Sequence, residues 1–228
     1  MNSYLQPKQH SLHFLINTTD NMKNNTKHQI LMIGWGETFD TTQEYLDFLQ
    51  SYEFDLWEKH KSWKGWLLSW LSDDFDWIRV NMPDTQNAYY PAWKIWFEKY
   101  FAYFGDNKLI IIWHSLGGIF LAKYLSENQF PKHIDSIHLV SPVFDNSGLQ
   151  WESTASFGFD PNNLKNITNQ CNNIHLWHSK DDNIVPYKHS MKYHTNLIWS
   201  IFHTFENRWH FSGQSHFVEL FTEIQKLL

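Results

Sequence analysis

Short apolar runs alternate with longer amphipathic stretches along most of this chain. The apolar runs have the length and the aliphatic or aromatic content of buried strands. They lie at residues 28–33, 77–81, 109–113, 134–141, 173–179 and 199–205. The stretches with helical spacing lie at residues 41–52, 56–71, 88–104, 117–127, 186–197 and 217–228. Because strands that alternate with helices form parallel sheets, the pattern predicts an α/β fold, a doubly wound, mostly parallel sheet of about six strands with helices on both faces.

The amino-terminal segment differs from the rest of the chain. Residues 1–27 are polar and rich in asparagine and lysine, so we expect a disordered or loosely docked extension. They lack the basic region and uninterrupted apolar stretch of a signal peptide, and Met22, just before the first strand, is an alternative start. Residues 28–228 are expected to form a single domain, large enough for a full core.

Composition narrows the classes of partner. Charged residues make up 18% of the chain and the net charge is −6, so no basic patch predicts nucleic-acid binding. No apolar run approaches the roughly 18 residues of a membrane span. The single cysteine, Cys171, excludes a disulfide framework within the chain and fits a reducing compartment. We therefore expect a cytoplasmic protein that acts on a small-molecule substrate, while the oligomeric state stays open.

A serine lies at the turn between the third strand and its helix. Ser115 follows the apolar run 109–113, and Gly117 and Gly118 open the amphipathic stretch behind it. A serine on such a strand–turn–helix unit is a nucleophile elbow, in which the helix N-terminus points free N–H groups at a developing oxyanion. The G-x-S-x-G pattern is met except at its first glycine, where Trp113 stands.

The acid and base that a nucleophilic serine needs follow in the order Ser, acid, His. Asp181 and Asp182 follow the fifth strand, and Asp182, which starts D-x-x-V-P, is the preferred acid. His210 and His216 follow the sixth strand, and both stay open as the base. All candidates lie in loops at the carboxyl ends of strands, where α/β sites form.

The oxyanion hole is expected to use the backbone N–H groups of Leu116 and of Trp35, the latter in the turn after the first strand. His114, beside the nucleophile, is expected to pack rather than to act as the base. No H-E-x-x-H spacing and no phosphate-binding G-K-[ST] loop is present, so neither a metal nor a cofactor is predicted. The pattern predicts a serine hydrolase that cleaves a small ester, thioester or amide through an acyl-enzyme. The alternative is a catalytically silent binding protein of the same fold.

Three segments together resemble a known family. Residues 112–118 (IWHSLGG), 179–186 (SKDDNIVP) and 210–220, with H-F and then F-V-E-L, are similar to the small α/β-hydrolase-fold serine hydrolases grouped with the retinoblastoma-binding serine hydrolase. The resemblance covers about residues 28–228 and implies a minimal α/β-hydrolase domain. It implies Ser115 as nucleophile, Asp182 as acid and the histidine of a G-H-F triplet as base, which favours His210 over His216.

Tryptophan stands where this family has glycine. Trp113 precedes His-Ser, Trp209 precedes His-Phe, and Trp35 interrupts the glycine turn after the first strand. The chain also has more tryptophans (13) than glycines (9). One hypothesis is that the gene uses UGA for glycine and was translated with UGA as tryptophan; UGG codons at these positions would exclude it. The rival hypothesis is genuine divergence, which gives a narrowed or inactive site.

Overall fold

The computed structural model describes residues 27–34, 36–53, 62–149 and 153–228. Three features of the sequence analysis lie outside these residues. They are the extension apart from Lys27, the tryptophan at 35 and the first part of the predicted helical stretch 56–71.

Six parallel strands form one sheet in the order β2-β1-β3-β4-β5-β6. The strands are β1 (His28–Ile33), β2 (Phe75–Val80), β3 (Leu109–His114), β4 (Ile134–Val140), β5 (Cys171–Ser179) and β6 (Ile201–Phe205). The order reverses after β2, so β1 and β3 are neighbours at the centre of the sheet. The α/β prediction, with its six parallel strands, is confirmed.

In the ranges that the structure describes, six α-helices connect or flank these strands. They are α1 (Thr42–Ser51), α2 (Trp63–Leu71), α3 (Tyr90–Glu98), α4 (Leu116–Glu127), α5 (Lys188–Asn196) and α6 (Val218–Gln225). The predicted helix 88–104 is shorter than expected, because the chain tightens into a 3₁₀ helix at Lys99–Tyr103. Within the described ranges, no helix is long and apolar enough to cross a membrane.

Two buried clusters cover the two faces of the sheet, as the doubly wound prediction requires. Alternate residues of β3 point to opposite faces, so Ile111 and Trp113 belong to one cluster while Ile110 and Ile112 belong to the other. The first cluster is packed by α3 and α4, and the second by α2 and α6. Strand β3 is thus buried on both faces of the sheet. This burial fixes the position of its carboxyl end, where Ser115 follows.

Close backbone approach fixes the start of α4. A Cβ atom on Gly118 would lie 2.5 Å from the Cβ of Pro142, and one on Gly117 would lie 3.0 Å from the carbonyl oxygen of Gly34. Real Cβ atoms do not come as close as 2.5 Å, so Gly118 is needed here, and at Gly117 a Cβ would be tighter than nearly all real contacts. The turn after β3 is therefore packed directly against the turns that follow β1 and β4.

Candidate active site

Ser115 lies on the sharp turn between β3 and α4. Its backbone has φ 57° and ψ −124°, a conformation that is strained for a residue with a side chain. Its N–H donates to the carbonyl of Val140 (3.0 Å), and its carbonyl accepts from Gly118 N–H (2.9 Å). The N–H of Leu116, at the first position of α4, has no acceptor within the helix. A strained serine next to a helix N–H with no acceptor in its own helix is the geometry of a nucleophile elbow.

The second half of the predicted oxyanion hole lies outside the described residues, since the structure does not describe Trp35. Its neighbour Gly34 is described and adjoins the start of α4. The assignment of Trp35 and Leu116 to the oxyanion hole stays a prediction.

Asp182 and His210 are brought together by the loops after β5 and β6. His210 Nδ1 lies 2.8 Å from Asp182 Oδ2, and both side chains are buried. The other carboxylate oxygen, Oδ1, accepts from the backbone N–H groups of Ile184 (3.0 Å) and Val185 (2.9 Å). Burial alone would raise the pKa of the Asp182 carboxyl, but the hydrogen bonds from His178 and His210 outweigh it and hold that pKa below its usual range. The carboxylate is therefore ionised and oriented toward His210.

His178 is a second histidine on the same carboxylate, and the sequence analysis did not single it out. Its Nε2 lies 2.8 Å from the carbonyl of Val185 and 3.2 Å from Asp182 Oδ2, and its Nδ1 lies 2.7 Å from Ser190 Oγ. Because Nδ1 accepts from the hydroxyl of Ser190, Nε2 carries the proton. It donates this proton to the carbonyl of Val185 and to Asp182 Oδ2. His178 and His210 thus share one carboxylate oxygen, Oδ2 of Asp182, and both help to fix its position. Its place four residues before Asp182 was the only signal in the sequence.

The loop that carries His210 is anchored on both sides of the histidine. Asp181 Oδ1 accepts from the N–H of Trp209 (2.9 Å) and from the hydroxyl of Ser179 (2.5 Å). The adjacent acid is thus structural rather than merely solvated. After the histidine, Phe211 is buried and stacks on Phe217, with ring centroids 4.8 Å apart. These contacts hold His210 in place before any substrate binds.

His114 connects the serine turn to the histidine loop. Its Nε2 lies 2.9 Å from the backbone carbonyl of His210, and the two imidazole rings are 4.8 Å apart. Burial, with smaller contributions from Lys64 and His210, lowers the pKa of His114 well below its usual value. His114 is therefore neutral and packs, as expected. The hydroxyl of Ser115 makes no hydrogen bond with another residue that the structure describes, and such catalytic contacts often tighten only when substrate binds.

His216 occupies a different environment. It is exposed, its Nδ1 lies 2.7 Å from the hydroxyl of Ser215, and its ring packs edge-on against Trp66. The structure brings His210, and not His216, to Asp182. Across the described ranges no three or more His, Cys, Asp or Glu side chains are grouped so that they could hold a metal ion.

A family model described as serine hydrolase matches residues 57–227, about three quarters of the chain. The chain belongs to this serine hydrolase family. Its fold is that of the α/β hydrolases. The match includes all three strand ends that carry the predicted Ser, Asp and His.

Solved structures agree with the fold of this serine hydrolase. The ydeN gene product from B. subtilis is 20% identical, with a TM-score of 0.68 over 88% of this chain and 98% of that chain. MGS-M1, an α/β hydrolase from a Medee basin deep-sea metagenome library, is 17% identical, with a TM-score of 0.51 over 84% of this chain and 73% of its own. Carboxylesterase Cest-2923 from Lactobacillus plantarum WCFS1 is 16% identical, with a TM-score of 0.50 over 82% and 74%, respectively. No protein of curated function matches the chain.

Trp113 is built into the core of the hydrolase. It is fully buried, stacks in parallel on Phe120 at 5.0 Å between ring centroids, and meets Phe97 edge-on at 5.4 Å. The missing Cβ of Gly117, which would lie 3.2 Å from the indole ring, leaves room for the tryptophan. The remaining cost is its indole N–H, which is buried and has no partner among the described residues.

Trp209 is accommodated differently. Its φ is 50°, in the left-handed region that favours glycine, and its side chain is 45% exposed. The hydrogen bond from its N–H to Asp181 fixes this backbone conformation in place. The backbone at 209 is therefore one that glycine would adopt without strain, which supports the glycine hypothesis at this position.

A pair of substitutions at this position separates backbone strain from packing. Trp209→Gly and Trp209→Ala both remove the indole, but only the glycine variant removes the Cβ that strains a left-handed residue. We expect the glycine variant to exceed the alanine variant in free energy of unfolding by about 1 kcal/mol, measured by urea denaturation. Equal stability of the two variants would show that the backbone at 209 carries no strain.

Proposed function

We propose that this serine hydrolase cleaves a small ester, thioester or amide through an acyl-enzyme on Ser115, with His210 as base and Asp182 as the acid that orients it. The observation that carries the proposal is the buried 2.8 Å contact between His210 Nδ1 and Asp182 Oδ2, at the sheet edge where strained Ser115 emerges. An inert binding protein has no need of a buried carboxylate–imidazole pair at this place.

The chemistry follows from these positions. Asp182 holds His210 with its Nδ1 protonated, so that Nε2 is free to accept the proton of Ser115 as its oxygen attacks the substrate carbonyl. The N–H groups of Leu116 and Trp35 are assigned to the oxyanion of the tetrahedral intermediate. The imidazolium then returns the proton to the leaving group. Water repeats the sequence on the acyl-enzyme and releases the acid.

We also propose the group of serine hydrolases, the type of substrate and the cellular location of this enzyme. The segments 112–118, 179–186 and 210–220 support a place beside the retinoblastoma-binding serine hydrolase. A small-molecule substrate, without nucleic-acid or membrane partners, fits the net charge of −6. The free thiol of Cys171 supports a cytoplasmic location.

Hydrolysis of 4-nitrophenyl acetate tests this function. We expect turnover with an initial burst of about one equivalent of nitrophenolate, the sign of acyl-enzyme formation. Ser115→Ala should abolish both the burst and the turnover. Ser141→Ala is the matched control, because Ser141 is also buried with a positive φ of 43° at the end of the adjacent strand. Turnover that survives in Ser115→Ala, or that is lost only in Ser141→Ala, would contradict the proposal.

A further inference from the structure

A cavity of about 640 Å³ lies at the carboxyl ends of β1 and β2. Gly34 and Met82 line its sheet side, and Lys64 of α2 lines its helix side. Gly34 is the residue whose carbonyl approaches Gly117 at the start of α4. The cavity therefore shares a wall with the turn that carries the proposed nucleophile.

Two cations, and no carboxylate from the residues that the structure describes, line this cavity. Lys64 is partly buried, Arg79 projects from β2, and both line the cavity. Neither residue forms an ion pair with any side chain in the part of the chain that the structure describes. Burial, and then the charge of Arg79, lower the pKa of the Lys64 amine to about 8. Two like charges beside each other in a partly desolvated place cost free energy, and a bound anion would offset that cost.

We propose that the cavity lined by Lys64 and Arg79 is a subsite for an anionic group of the substrate, of the carboxylate class. This inference rests on the proposed function and names its substrate class: small esters or amides that carry a negative charge away from the bond that is cleaved. An excess of two positive groups at the wall of this cavity, in a protein of net charge −6, makes the cavity selective by charge. The two positive groups also distinguish this cavity from the mainly apolar acyl pocket of a general esterase.

Lys64 also connects the cavity to the catalytic histidine. Its Nζ lies 3.3 Å from His114 Nδ1, and His114 Nε2 in turn contacts the backbone of His210. An anion held by Lys64 would therefore lie one side chain away from the reacting groups. Remote binding of this kind orients the scissile bond and so acts on kcat/KM.

The subsite is tested by comparing kcat/KM for a charged ester with kcat/KM for a neutral ester of similar shape. 4-Nitrophenyl hemisuccinate against 4-nitrophenyl butyrate places the charge on the acyl side, and 4-acetoxybenzoate against its methyl ester places it on the leaving group. We expect one charged ester to be preferred over its neutral partner by about 10- to 100-fold, the effect of one hydrogen bond to a charged group.

The variants assign that preference to the cavity. Lys64→Gln removes the charge but keeps a donor for His114, and Arg79→Gln removes the second charge at an exposed position. Both should bring the charged-to-neutral ratio down toward one. Lys165→Gln, a basic residue outside the cavity, should leave the ratio unchanged. A fall of the same size in the Lys165 variant would overturn the subsite, because it would show a general charge effect.

Binding decides the matter independently of turnover. Calorimetric titration of the Ser115→Ala protein with glutarate should show binding that weakens about 10- to 100-fold when Lys64→Gln is added. If neither charged ester is preferred and glutarate binding does not depend on Lys64, the subsite is refuted. Neutral-ester hydrolysis that persists in Ser115→Ala would instead refute the proposed function, so the two failures are distinguishable.

Discussion

His210→Ala is expected to lower kcat for ester hydrolysis by about 10⁴- to 10⁶-fold, whereas His216→Ala is expected to lower it by less than about twofold. The reason is geometric, since His210 contacts Asp182 at 2.8 Å while His216 is exposed and contacts Ser215. A serine without a base in reach of its proton is a poor nucleophile at neutral pH.

The two histidine variants control for each other. Both histidines lie in the same loop region before α6, so a general disturbance of that region would affect both variants. Steady-state kinetics of the purified proteins, with circular dichroism to verify the fold, gives the comparison. A large loss in His216→Ala together with a mild one in His210→Ala would reverse the assignment of the base.

The second large effect is expected at the acid. Asp182→Asn should lower kcat by about 10⁴-fold, because an amide no longer selects the tautomer of His210 that leaves Nε2 free. Asp181→Asn is the matched control: Asp181 anchors the loop through Ser179 and Trp209 N–H but does not contact the imidazole of His210. We expect that variant to lose much less, and kcat values of the two variants check it. Equal losses would mean that loop anchoring, and not the carboxylate at 182, governs activity.

The pH dependence of stability gives a second measurement on the same residue. The hydrogen bonds from His178 and His210 hold the pKa of Asp182 below its unfolded value of about 3.9. A carboxyl group with a depressed pKa contributes stability above its unfolded pKa, and this contribution is lost as the pH falls toward the folded pKa. Urea denaturation between about pH 6 and pH 3 should therefore show a smaller loss of stability in Asp182→Asn than in the wild type. An unchanged slope would mean that the carboxylate is not stabilised in the folded protein.

Much of the fold could be predicted because the spacing of apolar residues along the chain directly indicates which positions are buried. Each strand of the structure begins and ends within two residues of its predicted position, and β1 coincides with the predicted run. The 3₁₀ turn after α3 was missed because Lys99–Tyr103 keeps the same aromatic spacing as the helix before it. Periodicity does not distinguish a helix from its tighter continuation.

The site was predictable only in part, since its parts come from loops that the fold brings together. Ser115 and Asp182 follow strands in the expected chain order. The residues alone left His210 and His216 open, the family resemblance favoured His210, and the structure brings His210 to the acid. Nothing in the local sequence of Lys64 marks it, because its contact runs to another element, and for His178 the only signal is its spacing from Asp182. A local pattern also could not show that Phe120 would provide a parallel stacking surface for Trp113.

The most direct test of the account is to identify the residue that a fluorophosphonate probe modifies. The probe reacts covalently with activated serines, and digestion followed by mass spectrometry locates the adduct. We predict one adduct per chain, on Ser115, that is absent from Ser115→Ala and strongly slowed in His210→Ala. An adduct on another serine, or no adduct on the folded protein, would contradict the assignment of Ser115 as the nucleophile.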